Sequence, residues 1–396
     1  MKFLLTFLFL GGFMYSQTFI ELPDRAPFKE LRYSSIAFAD IDGDNDEDVL
    51  IMGEGSPNTI LYTNDGTGAF VEKANTPFLD LKDGDIAFSD IDGDNDLDIL
   101  ITGLNSRLRS RTRLYTNDGT GVFTEVANAP FMDVGKSSIA FADVDGDNDE
   151  DVLITGLGYP NGTSGPISTL YTNDGTGTFT EVMNTPFVDV ENGSVAFSDV
   201  DGDNDQDLLI TGRLSTRAPV SKLYTNDGNG TFTEVASTPF ENLGLSFIVF
   251  ADIDGDNDED VLMTGQDAIA TPTTKLYTND GSGVFAEMLG TPFEAVSGGS
   301  IVFADVDGVN GLDVLVTGKN TSGERIAKLY SNDGAGSFTE VIGTPFTGVD
   351  GSSVAFADVD GDNDLDVLIT GLINSSWERI SKLYTNDGSG NYTEVA

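Results

Sequence analysis

One nine-residue stretch, Asp40-Ile-Asp-Gly-Asp-Asn-Asp-Glu-Asp48, occurs in seven versions along this chain, and that repetition constrains the fold more than any other feature. The copies begin at Asp40, Asp90, Asp143, Asp199, Asp252, Asp305 and Asp358, so successive copies lie 50, 53, 56, 53, 53 and 53 residues apart. An array of one repeated unit folds as one body. That overrides the division into separate domains that 396 residues would otherwise suggest.

From residue 139 one unit reads Ile-Ala-Phe-Ala-Asp, the acidic loop, then Asp-Val-Leu-Ile-Thr-Gly and a variable stretch. Thr169-Leu-Tyr-Thr-Asn-Asp-Gly-Thr-Gly-Thr-Phe-Thr-Glu-Val182 and Thr185-Pro-Phe187 complete it. The short runs rich in Val, Ile, Phe, Tyr and Thr read as strands, here named A to D. Strand B is apolar almost throughout, as suits a strand covered on both faces. The Asn-Asp-Gly-x-Gly segment between C and D signals a hairpin, because Gly supplies positive φ. Four antiparallel strands per unit, seven times over, predict an all-β, seven-bladed β-propeller. A closed ring removes the two uncovered end faces that an open stack would leave.

Each acidic loop lies between strands A and B, with carboxylates at positions 1, 3, 5, 7 and 9 and Gly at position 4. In chain order these are Asp40, Asp42, Asp44, Asp46 and Asp48, then Asp90, Asp92, Asp94, Asp96 and Asp98. Next come Asp143, Asp145, Asp147, Asp149 and Asp151, then Asp199, Asp201, Asp203, Asp205 and Asp207. Asp252, Asp254, Asp256, Asp258 and Asp260 follow, and Asp358, Asp360, Asp362, Asp364 and Asp366 form the last copy. The sixth copy keeps only Asp305, Asp307 and Asp313, with Val309 and Gly311 at positions 5 and 7. Carboxylates crowded this closely repel unless a hard cation sits among them, and Ca²⁺ takes about six to eight oxygens in flexible geometry. An EF-hand is excluded, since it needs Gly at position 6 and Glu at position 12 between helices. Side chains at 1, 3, 5 and 9 and the backbone carbonyl at 7 make the expected ligand set. The expectation is six strong Ca²⁺ sites and a seventh weak or empty one.

The net charge of −46 has the same origin, because the Asp residues of the seven loops make up 33 of the 66 acidic residues. A chain with 39% hydrophobic residues and 26 Phe has ample material for a core, which argues against disorder. So acidic a protein makes nucleic acid an improbable partner. With no Cys and no His, thiol nucleophiles, disulfides, Ser-His-Asp triads and the usual zinc sites are excluded. Bound calcium would then serve as the staple that disulfides provide elsewhere outside the cell.

The pattern Phe-Ala-Asp-Val-Asp-Gly-Asp-x-Asp-x-Asp-Val-Leu-Ile-Thr-Gly resembles the FG-GAP/VCBS repeat of integrin α-subunit propellers and many secreted bacterial proteins. The resemblance covers essentially all of residues 18–396. It implies calcium carried by the A–B loops and ligand binding mostly at the opposite face. Family members range from adhesins to lyases, so the resemblance speaks to fold and metal more than to function.

Residues 1–17 read as a signal peptide: Lys2, an apolar run to Met14, then Tyr15-Ser16-Gln17 as the cleavage region. The run is too short for a membrane span, and no other segment approaches one. The protein is therefore expected to be secreted or at the cell surface, as a monomer, with residues 18–396 forming the propeller. Both Thr18-Phe-Ile-Glu-Leu22 and Asn391-Tyr-Thr-Glu-Val395 look like strand D. Two segments thus compete for the outer edge of blade 7. The C-terminal one follows its own hairpin turn and is expected in place.

Departures from repetition point to function. The B–C stretches vary most and hold 13 of the 20 basic residues, so the face opposite the acidic loops should be relatively basic. Lys222, Lys275, Lys328 and Lys382 recur at one repeat position, which favours a structural role. Arg107, Arg109, Arg111 and Arg113 occur in one blade only and are candidate ligand-binding residues, suited to carboxylate, sulfate or phosphate. Trp377, the only Trp, is a candidate stacking platform in the last B–C loop, and Tyr159 is a weaker one. The leading reading is a calcium-stabilised binding or adhesion module for a polysaccharide or protein, anionic ones included. The alternative is a calcium-assisted propeller enzyme such as a polysaccharide lyase, although no acid–base pair breaks the symmetry. A purely structural module of a larger assembly is a third possibility.

Overall fold

The computed structural model describes residues 27–55, 58–309 and 311–395. The apolar leader, the strand-like segment 18–22 and Asn310 therefore lie outside the described residues. Seven antiparallel sheets follow one another along the chain, each with strands in the order A-B-C-D. They span residues 35–72, 86–125, 135–181, 195–234, 244–287, 296–340 and 350–394, here blades 1 to 7. Strands A of successive blades touch all the way round, and strand A of blade 7 meets that of blade 1. The seven-bladed propeller expected from the repeats is the fold.

Strand B is the most buried element, with all of Asp48–Met52 in blade 1 and Asp98–Leu104 in blade 2 inaccessible. Its unbroken run of apolar residues follows from having a neighbouring blade on each face. The cores lie between blades, not within them. One cluster combines Leu50, Met52 and Leu61 of blade 1 with Ile99, Ile101 and Tyr115 of blade 2. Another joins Val49, Ile51 and Tyr62 of blade 1 to Val359, Leu368 and Leu383 of blade 7. A blade alone would expose both faces, so closure of the ring is what creates the core.

Strand D is shorter than the sequence suggests, only Thr124–Glu125 in blade 2 and Tyr392–Glu394 in blade 7. Short outer edges limit pairing with other chains. The preceding Phe turns inward instead. Phe123 is buried, and the linker residue Phe78 packs on it at 5.2 Å and on Tyr115 at 5.1 Å. The Tyr115 hydroxyl accepts a hydrogen bond from Leu79 N at 3.3 Å, so the buried phenol is satisfied. The Phe–Tyr–aromatic cluster recurs in every blade.

Both chain ends take part in closure. Tyr392–Glu394 pairs with strand C of blade 7, as expected, with Tyr384 opposite Glu394. Phe28 then fills the linker position before blade 1, 5.0 Å from both Tyr62 and Phe70. Leu31 bridges to Ile380 in blade 7, as Val349 bridges to Ile326 one blade earlier.

A second closure surrounds the axis where strands A begin. Tyr33, Asp83, Lys136, Asn192, Leu245, Gly298 and Gly351 all have left-handed backbones, with φ between 48° and 64°. The amide of each donates to the carbonyl of its counterpart in the preceding blade, from Asp83 N to Tyr33 O at 3.2 Å round to Tyr33 N to Gly351 O at 2.7 Å. Seven peptides thus form an unbroken hydrogen-bonded ring. A left-handed backbone costs about 1–2 kcal/mol at a non-glycine residue, and the ring bonds offset it.

Candidate metal centres and the opposite face

The acidic loops lie at the other end of strands A. In blade 1, Asp40 accepts from Gly43 N at 2.8 Å and from Asn45 N at 3.0 Å, which folds the loop over its first carboxylate. Asp44 accepts from Asp46 N at 3.0 Å. In blades 1, 2 and 4, one oxygen from each of positions 1, 3 and 5 lies within 4.8 Å of the others. In blades 3 and 5 the same holds for positions 1, 3 and 9.

Position 3 shows what such a cluster lacks. Oδ1 of Asp42, Asp92, Asp145, Asp201, Asp254 and Asp360 is buried and has no hydrogen-bond donor. Burial first, then the neighbouring carboxylates Asp44 and Asp40, raise the Asp42 pKa. An orphaned buried oxygen in each of six acidic loops is costly without a partner, and a cation supplies one. The residues present fit a hard, oxygen-seeking ion.

The sixth loop departs. Val309 N donates to Asp307 Oδ1 at 2.9 Å, whereas the position-3 Oδ1 has no donor in the other six loops. Val309 itself is half exposed, at 51%.

Positions 7 and 9 serve different ends. The Asp46 carboxylate lies against Gly66 of the C–D turn, where an added Cβ would sit 2.5 Å from Asp46 Oδ1. Its side chain faces that turn, which leaves the backbone carbonyl as the group position 7 can offer an ion. Asp48 is buried, and its Oδ1 accepts from Asn64 N at 2.7 Å. Burial pushes its pKa up to about 7, against the lowering effect of the amide hydrogen bonds.

Sequence reading missed the partner in that bond. Asn64 also donates from Nδ2 to the carbonyl of Val359, at position 2 of the blade 7 loop. Asn117, Asn173, Asn226, Asn279, Asn332 and Asn386 repeat both contacts, each tying its own position-9 carboxylate to the loop of the preceding blade. The Asn recurs in every copy of the turn, but so do Leu-Tyr before it and Asp-Gly after it, so recurrence alone did not single it out.

The opposite face carries the B–C loops and the linkers. Lys222, Lys275, Lys328 and Lys382 lie within strand C, not in a loop, and pair with Glu234, Glu287, Glu340 and Glu394 of strand D. Their recurrence is a cross-strand ion pair. Arg325 and Arg379 are also paired, with Asp350 and Glu54, so the face is less basic than the loop count implies.

Arg107 and Arg109 are exposed near the tip of the blade 2 loop, whereas Arg111 and Arg113 lie within strand C. Both strand residues reach Asp133, at 3.2 and 3.0 Å, and Arg113 also reaches Glu125. Trp377 lies elsewhere, at the seam of blades 7 and 1, with the Arg32 guanidinium 4.2 Å from its ring centre. Arg32 bonds Glu54, which also binds Lys82. Arg109, Arg111 and Arg113, without Arg107, are joined instead by Tyr159 in a groove of about 720 Å³ between blades 2 and 3.

The FG-GAP-like repeat pattern matches residues 40–101, 90–154, 199–263 and 310–369. No curated protein sequence matches the chain. Among solved structures, Aleuria aurantia lectin in complex with alpha-methyl-L-fucoside is 12% identical, covering 79% of this chain and 95% of its own, with a TM-score of 0.44. AofleA from Arthrobotrys oligospora is 12% identical over 79% of this chain and 85% of its own, with a TM-score of 0.45. The Bacillus licheniformis rhamnogalacturonan lyase is 14% identical over 92% of this chain and 70% of its own, with a TM-score of 0.44.

Proposed function

This chain belongs to the FG-GAP-like repeat family, and from that premise we propose that it is a secreted calcium-binding propeller. In this reading it serves as a binding module for an extracellular polysaccharide or protein. The observation that carries the metal is the orphaned, buried position-3 oxygen in six of seven loops. Positions 1, 5 and 9 complete the oxygen set around it, and hydrogen bonds from the loop backbone hold two of them in place. Calcium supplies positive charge and a structural cross-link, while the chain positions the carboxylates and excludes water behind position 9. The apolar leader supports export.

The binding role follows from the division of the disc. One end is occupied by seven near-identical loops whose residues hold one another and the neighbouring blades. Variation is concentrated on the other face, where loops on a rigid scaffold are free to recognise a ligand. Among the described residues, no helix is long and apolar enough to cross a membrane.

Isothermal titration of chelator-treated protein with Ca²⁺, followed by a glycan array with and without chelator, tests both halves. Calcium uptake with retained folding is the expected result. Failure to bind calcium at millimolar concentration would overturn the metal reading, and an array blank in both conditions would overturn a glycan ligand.

A further inference from the structure

Seven-fold repetition provides an internal control for every side chain, and one strand-C position breaks it in a telling way. The residue opposite the strand-B Gly is Ile167, Val220, Ile326 or Ile380 in blades 3, 4, 6 and 7, and Thr273 in blade 5. In blade 2 the residue opposite Gly103 is Arg111. An uncharged side chain serves the fold there in those five blades, so the fold does not call for an arginine. Two residues on, Arg113 takes the place of the repeated lysine and keeps that lysine's partner on strand D, Glu125.

Asp133 explains how two guanidinium groups lie side by side. Its Oδ1 accepts from Thr112 N at 2.9 Å, a bond that Asp189 also makes to Ser168 N in blade 3. The aspartate thus belongs to the repeat, and the arginines were added around it. Its two oxygens take Arg111 and Arg113, so two arginines share one carboxylate within the groove, with Arg109 beside them. Arg109 forms no ion pair among the described residues. Each guanidinium has five donors, and Asp133 and Glu125 use only a part of them. The opposite side carries Tyr159, 56% exposed at the start of a loop that only blade 3 extends with a helical turn. Phe131, half-buried, lines the groove between them.

We propose that this groove binds an acidic saccharide, with its carboxylate or sulfate on Arg109, Arg111 and Arg113 and its ring face on Tyr159. The chemistry is that of planar donors meeting an oxyanion beside an aromatic surface. The site rests on the reading of the loop face as the binding face, and it assigns the ligand class that reading leaves open. Arg113 remains shared with Glu125, so Arg109 and Arg111 contribute most.

Affinity is measured by titration with an oligogalacturonide, a sulfated carrageenan oligosaccharide and neutral laminarin oligosaccharides, on parent protein whose calcium content is measured in parallel. The parent is expected to bind one or both acidic probes and not the neutral one, and the stronger acidic probe identifies carboxylate or sulfate as the group held. Arg111→Ile introduces the residue that blades 3, 6 and 7 carry there and should fold normally, yet weaken binding by about ten-fold or more. Tyr159→Ala should weaken binding without moving the melting temperature. Unchanged affinity in both variants, equal binding of laminarin, or no binding of either acidic probe would each overturn the site. Normal calcium content in those cases would leave the metal reading standing, whereas calcium loss with intact saccharide binding would do the reverse.

Discussion

Asn64 Nδ2 donates to Val359 O at 2.8 Å, joining residues 295 apart in sequence, and it does so with the geometry that Asn226 uses on Val144 O inside the ring. The seam between last and first blade is therefore built like any other junction. Asn64→Ala leaves a buried carbonyl without a donor and should cost about 1–3 kcal/mol, as should Asn226→Ala. Urea denaturation measures both. A much smaller loss for Asn64→Ala would mean that the seam is not closed in solution.

The ring end residues make a second test. Tyr392 packs on Phe346 at 4.9 Å and donates to Leu365 O at 3.0 Å, while Phe28 plays the matching linker role before blade 1. Tyr392→Ala and Phe28→Ala should each destabilise by about 3–5 kcal/mol, the usual loss for a buried aromatic. Melting curves of the two variants check this, and parent-like curves would contradict the closure described.

Cation stoichiometry follows from position 3. Six loops leave that oxygen orphaned, whereas in the sixth copy along the chain Val309 N donates to Asp307 Oδ1. Metal analysis after exhaustive dialysis should find six calcium ions per chain, and Val309→Asp should move the count toward seven. Seven equivalent ions in the parent, or fewer than four, would refute this account.

Burial lifts the position-9 aspartates to about 7 in blades 1, 2, 3, 5 and 7, and to about 6 in blades 4 and 6. An aspartate with a raised folded pKa binds its proton more tightly when folded, so its contribution is full below about pH 4 and is lost as the pH rises through 6 to 7. Without calcium, the protein should melt lower at pH 8 than at pH 5.5. With calcium the order should reverse, because the ion binds the ionised form. Calorimetry at both pH values, with EDTA and with excess Ca²⁺, reads the sign directly. A metal-free protein that gains stability toward pH 8 would contradict it.

Chelation at pH 7.5 should lower the melting temperature by more than roughly ten degrees, since several linked sites stabilise the folded state together. An unchanged melt would show that the loops hold the ring without ions.

Repetition, strand-sized apolar runs and loop spacing determined the blade count, the strand order and the place of every acidic loop. These are local patterns, and local patterns survive translation into sequence. The role of Asn64 and its counterparts was half legible, because the residue recurs while its partner lies one blade away. The ring of peptides from Tyr33 to Gly351 was not legible at all. Its members are Tyr, Asp, Lys, Asn, Leu and two Gly, because only backbone groups bond, and no side-chain signature is needed.

The same division governs the loop face. Arg111 and Tyr159 are 48 residues apart and belong to different blades, and only lateral packing of blade 2 on blade 3 brings them to one groove. Trp377, equally conspicuous in sequence, lies instead on Arg32 at the seam. Sequence determined which residues break the repeat. Closure of the ring decided which of them meet, since contacts between blades depend on relative orientation that no single repeat encodes.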